Sequence, residues 1–80
     1  MIDFENLKRS YVSSIQFGLL VGIGYENAKR GNELLNISCK NCIDSGNYSE
    51  CDKEAMKFEL DAIKEALDAE INCKFGKFGM

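Results

Sequence analysis

The chain contains no histidine, no tryptophan and no proline. Without imidazole, neither a Ser-His-Asp nor a Cys-His nucleophile system can assemble from this chain alone. A two-cysteine, two-histidine zinc finger and a His-Glu-x-x-His protease site are excluded for the same reason. No Gly-x-Ser-x-Gly elbow and no Gly-x-x-x-x-Gly-Lys-[Ser/Thr] phosphate loop occurs. Gly22-Ile23-Gly24 opens like a dinucleotide fingerprint, but the third glycine would fall at position 27, which is Asn27. The expected function is therefore non-enzymatic, with no cofactor, since catalysis has to be argued from a set of residues in defined roles.

Charge of one sign is also scarce. Thirteen acids and ten bases leave a formal charge of −3. A nucleic-acid binder normally carries a basic patch, because phosphate neutralisation supplies its affinity. Here Lys8-Arg9 and Lys29-Arg30 are isolated pairs. Direct nucleic-acid binding is disfavoured, and a small helical regulator using those four residues is kept as an alternative. Long apolar runs are missing too. The most apolar stretch, Phe17 to Tyr25, is far short of the roughly 20 residues that span a bilayer. The first residues, Met1-Ile2-Asp3-Phe4-Glu5, are acidic where a secretory signal is basic. The expectation is a cytoplasmic protein with no membrane partner.

What is present fits one small folded domain, residues 1–80. Of the 80 residues, 45% are hydrophobic and 29% charged, too apolar for an obligately disordered chain. A chain this short folds near its stability margin and usually needs a staple, a metal, a partner or very regular helices.

The patterning predicts an all-α fold. Residues 3 to about 30 read as one long helix capped by Asp3, with Phe4, Leu7, Tyr11, Ile15, Leu19 and Gly22 on one face. From Phe17 the segment is apolar all round, which calls for surroundings on every side. Gly18 and Gly22 lie four apart, a spacing that lets helix backbones approach closely. A kink and a strand over Leu19 to Tyr25 are the competing readings. Phe17, Gly18, Leu20, Val21, Gly22 and Ile23 are the candidates for self-association, with a homodimer expected. Gly31-Asn32 reads as a helix stop and restart. A short helix follows, from Glu33 to about Cys42. Asp44 to Asn47 has the chemistry of a turn.

Ser49 caps the clearest element, a helix running to about Cys73. Met56, Leu60, Ile63, Leu67 and Ile71 form its apolar stripe, expected to pack antiparallel on the first helix. Ala55, Phe58, Ala62, Ala66, Ala69 and Cys73 form a second, flatter strip. From 50 to 72 there are eight acids and three bases, a net of −5 that leaves +2 elsewhere. Glu54, Asp61, Glu65 and Asp68 line one stripe, and such a stripe either faces solvent or meets a basic partner. The chain from about 74 is expected to fray, with Phe75 and Phe78 as candidate anchors.

The cysteines are Cys39, Cys42, Cys51 and Cys73. Cys51 and Cys73 sit at opposite ends of one helix, about 33 Å apart at 1.5 Å per residue. One zinc ion cannot reach both, so no metal site is expected, and small buried thiols are the simplest reading. A redox pair at Cys39 and Cys42 remains the alternative from another class. The leading expectation is a small acidic protein that binds a protein partner by occupying a basic surface, as a phage or mobile-element inhibitor of a host complex would.

Overall fold

The structure, a computed structural model, describes residues 3–76. They form three helices: α1 (Phe4–Val21), α2 (Tyr25–Ser45) and α3 (Glu50–Lys74). Phe78 lies outside the described residues. No strand occurs among them, and none of the three helices is long and apolar enough to cross a membrane.

Helix ends are set by local chemistry. The Asp3 side chain accepts the Glu5 amide at 3.1 Å, and Ser49 Oγ accepts the Asp52 amide at 3.1 Å. Each satisfies a donor that the first turn leaves without an intrahelical partner. α1 ends where the expected long helix would have continued. Gly22 turns left-handed (φ 82°, ψ 46°), its amide bonds the Leu19 carbonyl at 3.3 Å, and the Ile23 amide bonds the Gly18 carbonyl at 3.1 Å. This pair of reversed bonds is the Schellman closure. Gly24 follows at φ 93°, ψ 161°, a region open essentially to glycine alone.

The break corrects several expectations. Residues 17–25 are neither one continuous helix nor a strand. Gly18 packs against the turn that follows its own helix. It is buried under Ile23, whose Cδ1 lies 2.8 Å from where a Cβ would stand. Gly31 and Asn32 are no boundary, since both lie inside α2, where an interior glycine costs about 1 kcal/mol relative to alanine. The short middle helix is therefore the end of a 21-residue one.

The bundle runs up, down, up. Tyr25 bonds Asn72 at one end of the α2–α3 pair, and Asp44 pairs with Lys57 at the other, so those helices are antiparallel. Lys8 meets Glu59 while Leu19 and Leu20 border Cys73 and Lys74, so α1 runs parallel to α3. The expected antiparallel partner of α3 is thus α2 and not α1: the extra reversal at Gly22–Gly24 flips α1 over.

The α3 stripe packs as its periodicity predicts. Leu60, Leu67 and Ile71 are buried, with Met56 and Ile63 against them. They meet Tyr11, Ile15 and Leu19 of α1 and Ala28, Cys39 and Ile43 of α2. Burying each large aliphatic is worth about 1.5–3 kcal/mol. Phe75 closes one end, its ring edge-on to Tyr25 at 5.8 Å. The molecule is flattened, 40 × 24 × 16 Å, and each helix keeps a broad outward face.

The turn geometry sets a test. Gly24→Ala should lower stability by about 1–3 kcal/mol, and Gly22→Ala by about 1 kcal/mol, both read from urea midpoints. Gly31→Ala, inside α2 with only Ile15 Cδ1 at 3.8 Å from the added Cβ, should instead raise stability by up to about 1 kcal/mol.

Candidate functional site

Two regions carry polar chemistry: the seam between α2 and α3, and the outward side of α3. The seam holds two fully or nearly buried amides, Asn32 and Asn36. The four-residue spacing puts both on the core face of α2 beside Ala28, Cys39 and Ile43. Asn32 Nδ2 donates to the Lys64 carbonyl (3.0 Å) and to Asp68 Oδ1 (2.8 Å). Its Oδ1 accepts the Tyr11 hydroxyl at 2.6 Å. Asn36 Nδ2 donates to the Leu60 carbonyl (3.1 Å) and to Asp61 Oδ1 (3.3 Å). The two carbonyl acceptors, Leu60 and Lys64, are four apart on α3 as the two asparagines are on α2, while the two carboxylates, Asp61 and Asp68, are seven apart. No buried side-chain polar atom among the described residues lacks a partner.

Lysines close this seam from outside. Lys40 pairs with Asp61 at 2.7 Å. Lys64 and Lys29 reach Asp68 at 3.1 and 3.4 Å. The Lys40 hydrogen bond holds the Asp61 carboxyl below its ordinary range, and the Lys57 hydrogen bond does the same for Asp44. Burial pushes Asp68 upward, but the bonds from Asn32 and Lys64 outweigh it and leave it lowered. Burial raises the Tyr11 hydroxyl well above its usual value.

This geometry divides the four expected partner-binding acids. Asp61 and Asp68 are tied into the α2–α3 seam by Lys40 and by Lys29 and Lys64, although the Asp61 side chain stays half exposed. Glu54 and Glu65 are exposed and make no ion pair among the described residues. Glu70, on the other flank, is likewise exposed and unpaired. Between these flanks the strip Ala55, Phe58, Ala62, Ala66, Ala69 and Cys73 is exposed along its whole length, with Phe58 78% accessible. Beside it, the C-terminal ends of α1 and α3 enclose an open groove of about 450 Å³, lined by Gln16, Leu19, Leu20, Glu70, Cys73 and Lys74.

The six self-association candidates are also divided. Phe17, Leu20 and Val21 are exposed at 65, 81 and 58%. Gly18 and Ile23 fold onto each other, and Gly22 only turns the chain. The apolar ring read from the sequence is thus half helix closure and half open surface. Of the basic residues, Lys8 pairs with Glu5 and Glu59 and Lys29 with Asp68, while Arg9 and Arg30 remain exposed.

All four cysteines are free thiols: Cys39 buried, Cys42 half-buried, Cys51 and Cys73 exposed. Burial, with Cys42 beside it, raises the Cys39 thiol, the opposite of what a reactive thiolate requires. Among the described residues no group of three or more Cys, Asp or Glu side chains is arranged to hold a metal ion.

The sequence reading missed Asn32, Asn36 and Tyr11 as a unit. Their signal was positional: once α2 is started at Tyr25, both asparagines fall in the register of its apolar residues. The fold and seam define a small antiparallel three-helix bundle with a polar lock. No protein-family model, curated protein or solved structure matches the chain.

Two measurements follow from the seam. Asn32→Ala should cost about 2–3 kcal/mol, and Tyr11→Phe about 1–2 kcal/mol by leaving a buried acceptor unpaired. In the double variant the losses should fall short of additive by about 1 kcal/mol, because both remove one bond. The second concerns acid. Asp44, Asp61 and Asp68 have lowered values, so the unfolded chain takes up protons before the folded one as pH falls. Their stabilisation is present above about pH 4 and disappears as the pH drops through the lowered values. Denaturant midpoints at neutral pH and in acid should show this loss, and Asp68→Asn should make it smaller.

Proposed function

We propose that this protein is a non-enzymatic interaction module that binds a protein partner by occupying a basic surface with the outward side of α3. The observation that carries this reading is the sorting of the acids. The carboxylates of the α2–α3 seam are consumed by lysines, whereas Glu54, Glu65 and Glu70 stand unpaired around an uncharged strip. A concentration of one charge sign steers encounter with a complementary surface and accelerates association. The strip of alanines with Phe58 supplies a low-relief contact area in which a single aromatic can act as anchor. Binding by occupancy is also how such a chain would inhibit a larger complex. The buried polar groups support this reading indirectly, because each is used in holding helices together.

The test is kinetic. Glu54→Lys with Glu65→Lys should slow association with a protein that presents a basic surface, leave helicity unchanged, and flatten the salt dependence of the on-rate. Rates that ignore both the double reversal and added salt would remove the acidic face from the function.

A further inference from the structure

Cys39-Lys40-Asn41-Cys42 lies inside α2, just beyond Asn36, and plays no part in the docking face. Both cysteines are free thiols, Cys39 buried in the core with Ile43 and Cys42 half-buried. Burial first, and then the neighbouring Cys42, raise the Cys39 thiol, so the two sulfurs share one locality. Positions three apart in an α-helix set their Cα atoms about 5 Å apart, inside the roughly 4.4–6.8 Å that a disulfide accepts. Their Cβ atoms stand about 5–6 Å apart, beyond the roughly 4 Å that it needs. A 3₁₀ turn closes that gap, because side chains three apart eclipse one another there. A bond between the two sulfurs therefore asks residues 39–42 to tighten from about 3.6 to about 3.0 residues per turn. That adds about 20° at each of three steps, about 60° in all, to the heading of every side chain beyond Cys42. The first two are Ile43, wholly buried, and Asp44, paired with Lys57 of α3. On the near side, Asn36 is held by the Leu60 carbonyl.

We propose that Cys39 and Cys42 are a modification site for low-molecular-weight disulfides of the oxidised-glutathione class, and that closing their bond twists the last turn of α2 off α3. Cys42, the more accessible of the two, loses its proton to solvent and attacks one sulfur of the small disulfide. That sulfur–sulfur bond breaks and one thiolate leaves. Cys39 then loses its proton and attacks the mixed disulfide at the Cys42 sulfur, and the second thiolate leaves. Two protein thiols are oxidised, one small disulfide is reduced to two thiols, and the two protons end on the departing thiolates. The site uses none of the residues of the α3 docking face and stands or falls separately from it. Oxidation and folding are linked. Whatever the twist costs the folded bundle appears equally as a weaker tendency of that bundle to be oxidised, since the denatured chain has no helix to distort.

The experiment uses the full chain carrying Cys51→Ser and Cys73→Ser, both at exposed positions. It is equilibrated with mixtures of reduced and oxidised glutathione and read by mass spectrometry. The expected product has lost two hydrogen atoms and carries no glutathione. Its equilibrium constant of formation should be about tenfold or more larger in urea than in native buffer. The oxidised protein should unfold at a lower urea concentration, with amide shifts gathered at residues 39–45 and at Lys57. Cys39→Ala should leave glutathione joined to Cys42, whereas Cys42→Ala should leave Cys39 unmodified while the protein is folded. A stable mixed disulfide at Cys42 with Cys39 still reduced would overturn the proposal. Equal oxidation in urea and in native buffer would overturn it as well, because the bond would then cost the bundle nothing. Glutathione found first on Cys39 would reverse the roles and defeat it too.

Discussion

The hydrogen bonds from Asn32 and Asn36 to carbonyls and carboxylates of α3 are the constraint from which the rest of the bundle takes its alignment. Apolar side chains tolerate sliding, because a leucine is nearly as content against one neighbour as the next. Buried amides do not. A slip of one residue between α2 and α3 would strand the donors of both asparagines at once, each at a cost of about 1–3 kcal/mol. Two amide anchors one helical turn apart on α2 fix the register along the pair. Tyr11 then ties α1 to the same lock.

Buried polar groups of this kind add less to net stability than well-packed apolar ones do, and their best-attested use is to specify one arrangement among several. That trade suits a chain of 80 residues. Its core is a thin layer, and its helices have faces of similar apolar character that permit other pairings. The lysines over Asp61 and Asp68 extend the lock outward and neutralise the carboxylates that the amides need as acceptors. The charge left on the surface is consequently the remainder after folding has taken its share, and around the alanine strip of α3 that remainder includes Glu54, Glu65 and Glu70.

Much of this was legible in the amino-acid order, and the misses have physical causes. The caps Asp3 and Ser49 and the Met56–Ile71 stripe follow local rules, and local rules predicted them. The break after Val21 was harder. Gly18 and Gly22 sit at a spacing equally suited to close helix packing and to Schellman closure, and only the position of Ile23 over Gly18 distinguishes the two. Misplacing that break moved the start of α2, which took Asn32 for a cap and kept Asn36 out of the core register. The acidic stripe is divided by the fold for a related reason. Helical spacing gives the side of α3 on which Asp61 and Asp68 lie, but which helix faces that side is a tertiary fact.

The connections around the lock have a kinetic meaning. α1 joins α2 through three residues, 22–24, and α2 joins α3 through four, 46–49. The principal contacts are therefore made between helices adjacent along the chain, with little loop entropy to overcome before the first contact forms. Chains dominated by near-neighbour contacts cross their folding barrier in microseconds to milliseconds. The α2–α3 hairpin holds the most extensive contacts and both asparagine motifs, so it is the natural nucleus, with α1 docking onto a template already in register. The same short connections leave a newly made chain little time with its Phe17, Leu20 and Phe58 side chains unaccompanied. For a protein that keeps so much apolar surface in its finished form, speed of assembly is itself a defence against aggregation.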